Sequence, residues 1–220
     1  MYCPLCAEKD THPYTFDALN RQLYRCPKCY GVFVHFTYYH SREVEKKRYL
    51  KHENSANNKG YLRFLFRALN PALQFLNQDM KGLDFGSGEK PVLAHILNKK
   101  GFRCDVYDLY FHPEIPKNKY DFIFSTETFE HFSSPDKELR VIYKLLKNSG
   151  LLVTMTSTYN ESTNFQTWHY AKDFTHLFFY HEKTFDYVAS TFQYSIEYID
   201  VHHGVWILKK NRENQSALYT

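Results

Sequence analysis

From residue 81 onward, short apolar runs alternate with stretches of helical spacing. Leu83 and Phe85 give 81–85 the character of a short buried strand. Further strands are predicted over 102–108, 120–127 and 151–156, with a closing pair over 192–199 and 205–209. A helix is predicted from Pro91, through Val92, Leu93, Ile96 and Leu97, since proline suits a first helical turn. A second opens at Pro135 and turns Leu139, Ile142, Leu145 and Leu146 inward, and a third covers 184–189. This alternation predicts an α/β domain with a mostly parallel, doubly wound sheet and right-handed crossovers. The stretch 112–119 is short and contains prolines, so the third strand of such a sheet and its helix are expected to be reduced or absent.

Upstream, Leu62, Leu65, Phe66, Leu69, Leu73 and Leu76 recur at helical spacing and predict a helix packed on the sheet. The charged stretch 41–49 reads as a helix with a solvated face. The polar loop 52–61, from His52, Glu53 and Asn54 to Tyr61, reads either as a plain linker or as a cover over a bound ligand. The expected organisation is therefore 1–36, a connector over 37–76, the main domain over 77–210 and a polar, frayed tail over 211–220.

Composition narrows this picture. The 220 residues suffice for one α/β domain and a small appendage, and the 18% aromatic content supplies a core and an aromatic-lined pocket. A net charge of +4 does not by itself argue for nucleic acid. No apolar run reaches bilayer-spanning length and no signal peptide opens the chain, so no membrane partner and a cytoplasmic location are expected.

Four of the five cysteines form two C-x-x-C pairs, Cys3/Cys6 and Cys26/Cys29, separated by a predicted hairpin. Two such pairs complete a closed, all-thiolate tetrahedron, which favours a structural Zn²⁺ in a small zinc ribbon. With four protein ligands no position is open to water, so this metal is assigned no catalytic role. Cys104 reads as a buried, inert thiol.

The glycine turn after the 81–85 strand carries the main chemistry. Gly86 and Gly88 allow close backbone approach to a ligand, and the helix that follows presents free N–H groups. A dinucleotide site would have a third glycine where this chain has Pro91. Asp84 faces a pyrophosphate badly but suits a cationic ligand. Asp108 ends the next strand, where an acid accepts hydrogen bonds from a ribose diol, and Leu109, Tyr110 and Phe111 follow to flank an adenine.

The pattern Asp84-x-Gly86-x-Gly88, with Asp108, the 120–123 strand, Glu130-His131-Phe132, Pro135 and the turn Leu145 to Gly150, resembles the class I S-adenosylmethionine-dependent methyltransferase family almost end to end. With the ribbon, His52-Glu53-Asn54, Trp168-His169-Tyr170 and Asp173 to His176, the chain looks like a bacterial subgroup that carries a four-cysteine ribbon ahead of the catalytic domain. The departures are Asn148 and Ser149 in that turn, and Lys90 at a place where the family often has glycine. The resemblance implies a Rossmann-like methyltransferase fold and S-adenosylmethionine as cofactor. The expected cofactor-binding residues are Asp84, Phe85, Gly86, Ser87, Gly88, Asp108, Leu109 and Tyr110, with Thr126, Glu127 and Tyr61.

Methyl transfer from a sulfonium needs alignment and exclusion of water, and a base only where the nucleophile carries a proton. The loop 158–180 lies where substrate must enter. His176, His169 and His131, with Tyr170, are the catalytic candidates, each weighed against a purely structural role. His176 ranks first because Asp173 and Thr175 stand close before it to fix a tautomer. The leading expectation is methylation of a small-molecule acceptor. A second is rRNA or tRNA methylation with the ribbon gripping RNA through Arg21, Arg25, Lys28 and 46–48. The third is a catalytically silent binding module in which Lys90 blocks the cofactor.

Overall fold

Side chains in the central sheet alternate with a period of two, and both faces are apolar. Leu83, Ile123, Leu152, Trp206 and Leu208 join one core, while Phe122, Phe124, Val153, Val205 and Ile207 join the other. A sheet apolar on both faces must be covered on both, which explains the flanking helices. The computed structural model describes residues 1–51 and 54–212, so His52, Glu53 and most of the expected 211–220 tail lie outside the described residues.

The chain runs through β1 (His12–Phe16), β2 (Gln22–Arg25), β3 (Val32–Val34), α1 (Arg42–Tyr49) and α2 (Lys59–Leu73). Next come β4 (Lys81–Phe85), α3 (Val92–Lys99), β5 (Arg103–Tyr107), β6 (Tyr120–Thr126), α4 (Pro135–Leu145) and β7 (Leu146–Met155). It closes with β8 (Thr158–Tyr159), β9 (Phe178–His181), α5 (Glu182–Thr191), β10 (Tyr194–Asp200) and β11 (Val205–Lys210).

The larger sheet has the order β10-β11-β7-β6-β4-β5. β5, β4, β6 and β7 are parallel, while β11 runs antiparallel to both of its neighbours. This is the expected mixed α/β fold with a largely parallel sheet. Among the described residues no strand pairs outside β5, and 109–119 is irregular, in keeping with the reduced third strand. α2 and α3 cover one face through Leu65, Leu69, Leu93 and Leu97, and α4 and α5 cover the other through Leu139, Ile142, Phe185 and Val188. From β4 the chain moves out to β5 and returns to β6 on the other side of β4. Such a switch opens a crevice at the carboxyl ends of the strands. Among the described residues no helix is long and apolar enough to cross a membrane.

The smaller sheet, β1-β2-β3-β9-β8, is not confined to the N-terminal segment. β3 pairs with β9 through Val32↔Phe179 and Phe33↔Phe178, so the cysteine hairpin is completed by strands that follow β7. Cys3, Cys26, Cys29 and Phe33 sit in the same apolar cluster as Leu83 and Phe185.

Arg21 binds the two regions from inside. Its Nε donates to Asp17 Oδ2 at 2.7 Å, and both side chains are buried. The guanidinium also donates to the carbonyls of Phe174, His176, Ala171 and Asp173, at 2.8–3.4 Å. The expectation that Arg21 faces RNA therefore fails, because its donors are spent on internal carbonyls.

Candidate active site

A cavity of about 800 Å³ opens at the carboxyl ends of β4, β5 and β6, within the size range of small-molecule sites. Gly86, with φ +82°, turns the chain where β4 ends, and its N–H donates to the Tyr107 carbonyl at 2.8 Å. A Cβ there would stand 2.3 Å from the Thr128 hydroxyl, so sterics and backbone both require glycine. At Gly88, φ +69°, a Cβ would meet nothing within 4 Å. The space a side chain would fill there is open to a ligand.

Asp84 is buried beneath this turn, and its Oδ2 accepts from the Ala94 N–H in the first turn of α3. Burial pushes its carboxyl up to about 7 from an ordinary 3.8, with a smaller contribution from Asp108. A carboxyl raised on folding takes up a proton as the chain folds, so its stabilising contribution is present below pH 4 and is lost as pH rises towards 7. Asp84→Asn is expected to remove a slope of up to ~1.4 kcal/mol per pH unit in that window. Its melting temperature relative to the parent protein should therefore climb from about pH 4 to pH 7 and level off above, and parallel curves would refute the assignment.

Asp108 is more heavily engaged than its sequence position implies. Oδ2 accepts from the Gly88 N–H at 2.9 Å, and Oδ1 accepts from the N–H groups of Tyr110 and Phe111 at 2.8 and 3.1 Å. A carboxylate has about four lone-pair positions. Oδ1 is filled, and Oδ2 retains one lone pair towards the cavity. Asp108 thus builds the turn as well as facing it.

Of the other residues expected at a cofactor, Phe85, Ser87, Leu109, Tyr110, Thr126, Glu127 and Tyr61 all line the cavity. Burial first, then Asp84 and Glu127, push the Tyr61 phenol above its ordinary range, so it remains a hydroxyl donor. Glu127 has φ +49°, a left-handed conformation that non-glycine residues seldom adopt. Burial, and then the Glu130 charge, push its carboxyl upward. Lys90 is exposed at the rim of the cavity.

The charged helix α1 is not simply solvated. Glu45 and Tyr49 line the cavity, the Tyr110 hydroxyl donates to Glu45, and Arg48 donates to Asp173 Oδ2 at 2.6 Å. Charge along 41–49 masked this role, because only its inward residues are short of solvent.

The catalytic candidates separate. His131 and His176 line the cavity with ring centroids 4.8 Å apart. His169 is exposed and does not line it, and Tyr170 is buried behind the wall, its hydroxyl 2.9 Å from Thr156 Oγ1. The partner that sets the His176 tautomer is the Tyr170 carbonyl, 2.6 Å from Nδ1. Asp173 instead accepts from the Thr175 hydroxyl and from Arg48, so the local reading of Asp173-x-Thr175-His176 is corrected. Burial, then the His131 charge, lower His176 to about 3, which leaves the ring neutral at ordinary pH. Glu130, given no role by the sequence, is fully buried in the short turn Phe129–His131 behind the two histidines. Its signal was an acid beside a histidine, four residues past a strand end.

A family model described as a methyltransferase domain matches residues 55–198, more than half of the chain. The chain belongs to this family. A search of curated proteins finds no match. Solved structures share the methyltransferase fold at low identity. A chain of the complex between the Haloferax volcanii Trm112 methyltransferase activator and a methyltransferase superimposes with a TM-score of 0.56 at 13% identity, over 79% of this methyltransferase-family chain and 100% of that one. An O-methyltransferase family protein from Burkholderia thailandensis gives 0.52 at 11% identity, over 78% of this chain and 64% of that one. PigF with SAH gives 0.50 at 13% identity over 69% of this chain. This chain spans 57% of the length of PigF.

Proposed function

We propose that this protein is an S-adenosylmethionine-dependent methyltransferase acting on a small-molecule acceptor. The carrying observation is the turn at Gly86–Gly88, buttressed by Asp84 and Asp108, opening on a cavity of about 800 Å³ at the topological switch. The residues fit this cofactor: a buried acid for a cationic group, an acidic residue for a ribose, and open space beside Gly88. When bound, S-adenosylmethionine supplies an electrophilic methyl group. The task of this chain is then positioning. Asp84 and Asp108 hold the turn and receive donors, Tyr61 offers a hydroxyl, and α1 with Tyr49 covers the acceptor side and excludes water. Holding two reactants in line lowers a barrier by up to ~7–11 kcal/mol.

The same reading places Zn²⁺ on Cys3, Cys6, Cys26 and Cys29. Their sulfurs all lie within 4.8 Å of one another, with Cys3–Cys29 at 3.5 Å and Cys6–Cys26 at 3.4 Å. A tetrahedral site with Zn–S near 2.3 Å spaces its sulfurs by about 3.8 Å. The ribbon then acts as a brace rather than an RNA grip. Arg21 is buried, Arg48 is paired with Asp173, and Arg25 lies over the Tyr14 and Tyr30 rings.

Calorimetric titration with S-adenosylhomocysteine tests this reading. Saturable binding is expected, and Asp108→Ala should weaken it about ten- to hundredfold, the scale of a lost charged hydrogen bond. Absence of binding by a zinc-loaded protein with a normal melting transition would refute it.

A further inference from the structure

We propose that Glu130, His131 and His176 form a second metal site, for a divalent cation of the Zn²⁺ type, in the wall of the cavity. His131 Nδ1 lies 3.0 Å from the Thr175 carbonyl and His176 Nδ1 lies 2.6 Å from the Tyr170 carbonyl. A carbonyl oxygen only accepts, so both Nδ1 atoms carry the proton, and in neutral imidazoles both Nε2 atoms are lone pairs. These lie 3.8 and 4.0 Å from Glu130 Oε1. The Glu130 side chain is fully buried, and among the described residues Oε1 has no hydrogen-bond partner.

Three lone-pair atoms thus converge, all within 4.8 Å of one another, at separations too long for hydrogen bonds. An unpaired buried carboxylate oxygen is costly, and a cation bound among the three removes that cost. Ligands about 2.1 Å from one metal stand roughly 3.0–3.4 Å apart, so the two Nε2–Oε1 separations of 3.8 and 4.0 Å must shorten by roughly 0.4–1.0 Å to close the site. The surroundings match metal coordination as well. Each histidine is oriented by a backbone carbonyl, and the Thr156 hydroxyl donates to Glu130 Oε2 at 2.8 Å. Two imidazoles and one carboxylate suit Zn²⁺ and its first-row neighbours.

Unlike the four-thiolate site, three protein ligands leave coordination positions free, and both histidines line the cavity. Resting on the methyltransferase reading, the acceptor class follows. It is a small molecule that presents an ionisable oxygen to the cation, which favours the deprotonated, nucleophilic form.

Equilibrium dialysis of the full-length protein against Zn²⁺, followed by elemental analysis, tests the site. About two Zn²⁺ per chain are expected, falling to about one in His131→Asn and in Glu130→Gln while the ribbon metal is retained. A melting curve and an S-adenosylhomocysteine titration on the same samples separate the outcomes. One Zn²⁺ per chain in the parent protein, unchanged in both variants, with cofactor binding intact, overturns the second site alone. Two Zn²⁺ without cofactor binding keeps the site and overturns the methyltransferase reading. Should Glu130→Gln fail to fold, the partly exposed His131→Asn decides.

Discussion

Arg21→Met is expected to destabilise the protein by about 3–5 kcal/mol, the range for breaking a buried ion pair from one side. The substitution strands the Asp17 carboxylate, whose side chain is 0% exposed. It also leaves the carbonyls of Ala171, Asp173, Phe174 and His176 without their shared donor. For a chain of this size, a thermal melt should fall by roughly 6–20 °C. Restoring charge balance by adding Asp17→Leu should recover part of the loss. A shift of less than 2 °C in the single variant would show that the guanidinium is not a structural clamp. The same variant should weaken S-adenosylhomocysteine binding less than Asp108→Ala does, because Arg21 reaches the cavity only through the 171–176 segment.

Loss of the Zn²⁺ proposed at the four cysteines is the second large effect. Cys3, Cys26 and Cys29 are almost fully buried, and structural zinc contributes apparent binding energies of ≈10–16 kcal/mol in isolated fingers. Cys26→Ser is therefore expected to lower the melting temperature by more than about 10 °C, to abolish retention of one Zn²⁺, and to expose the remaining ribbon thiols to a thiol reagent. Damage should spread beyond residue 36, because loss of β3 uncovers the edge of β9. Protection of the Phe178–His181 amides from hydrogen exchange reports that spread. Undiminished protection in Cys26→Ser would mean that β9 is held by the large domain alone.

Much of the main sheet was legible in the sequence. Buried parallel strands announce themselves as short apolar runs, as 120–124 does, and the glycine turn lies where one of them ends. The two C-x-x-C pairs were equally plain, since the spacing that lets two thiolates reach one ion is local. What escaped is long-range. Nothing in Val32–Val34 states that it will pair with Phe178–His181, because an edge strand reads the same whether it is free or matched. Asp173 looked like a partner for His176 three residues on, yet it binds Arg48, 125 residues away. Asp108 looked like a wholly free ribose acceptor, yet three backbone N–H groups already engage it and leave one lone pair on Oδ2. In each case a local pattern was read as local chemistry, and tertiary contacts redirected it. Glu130 was missed differently, since burial rather than sequence leaves one oxygen of an ordinary acid without a hydrogen bond.

The pairing of β3 with β9 also bears on how the chain is made. The hairpin emerges from the ribosome first, but the strand that closes its open edge lies about 145 residues later. At ~5–20 residues per second this leaves the edge of β3 unmatched for roughly 7–30 s. An unpaired apolar edge is a template for aggregation. Early zinc capture, by fixing the hairpin before its partner strand exists, would shorten the time in which Val32, Phe33 and Val34 can pair with the wrong chain.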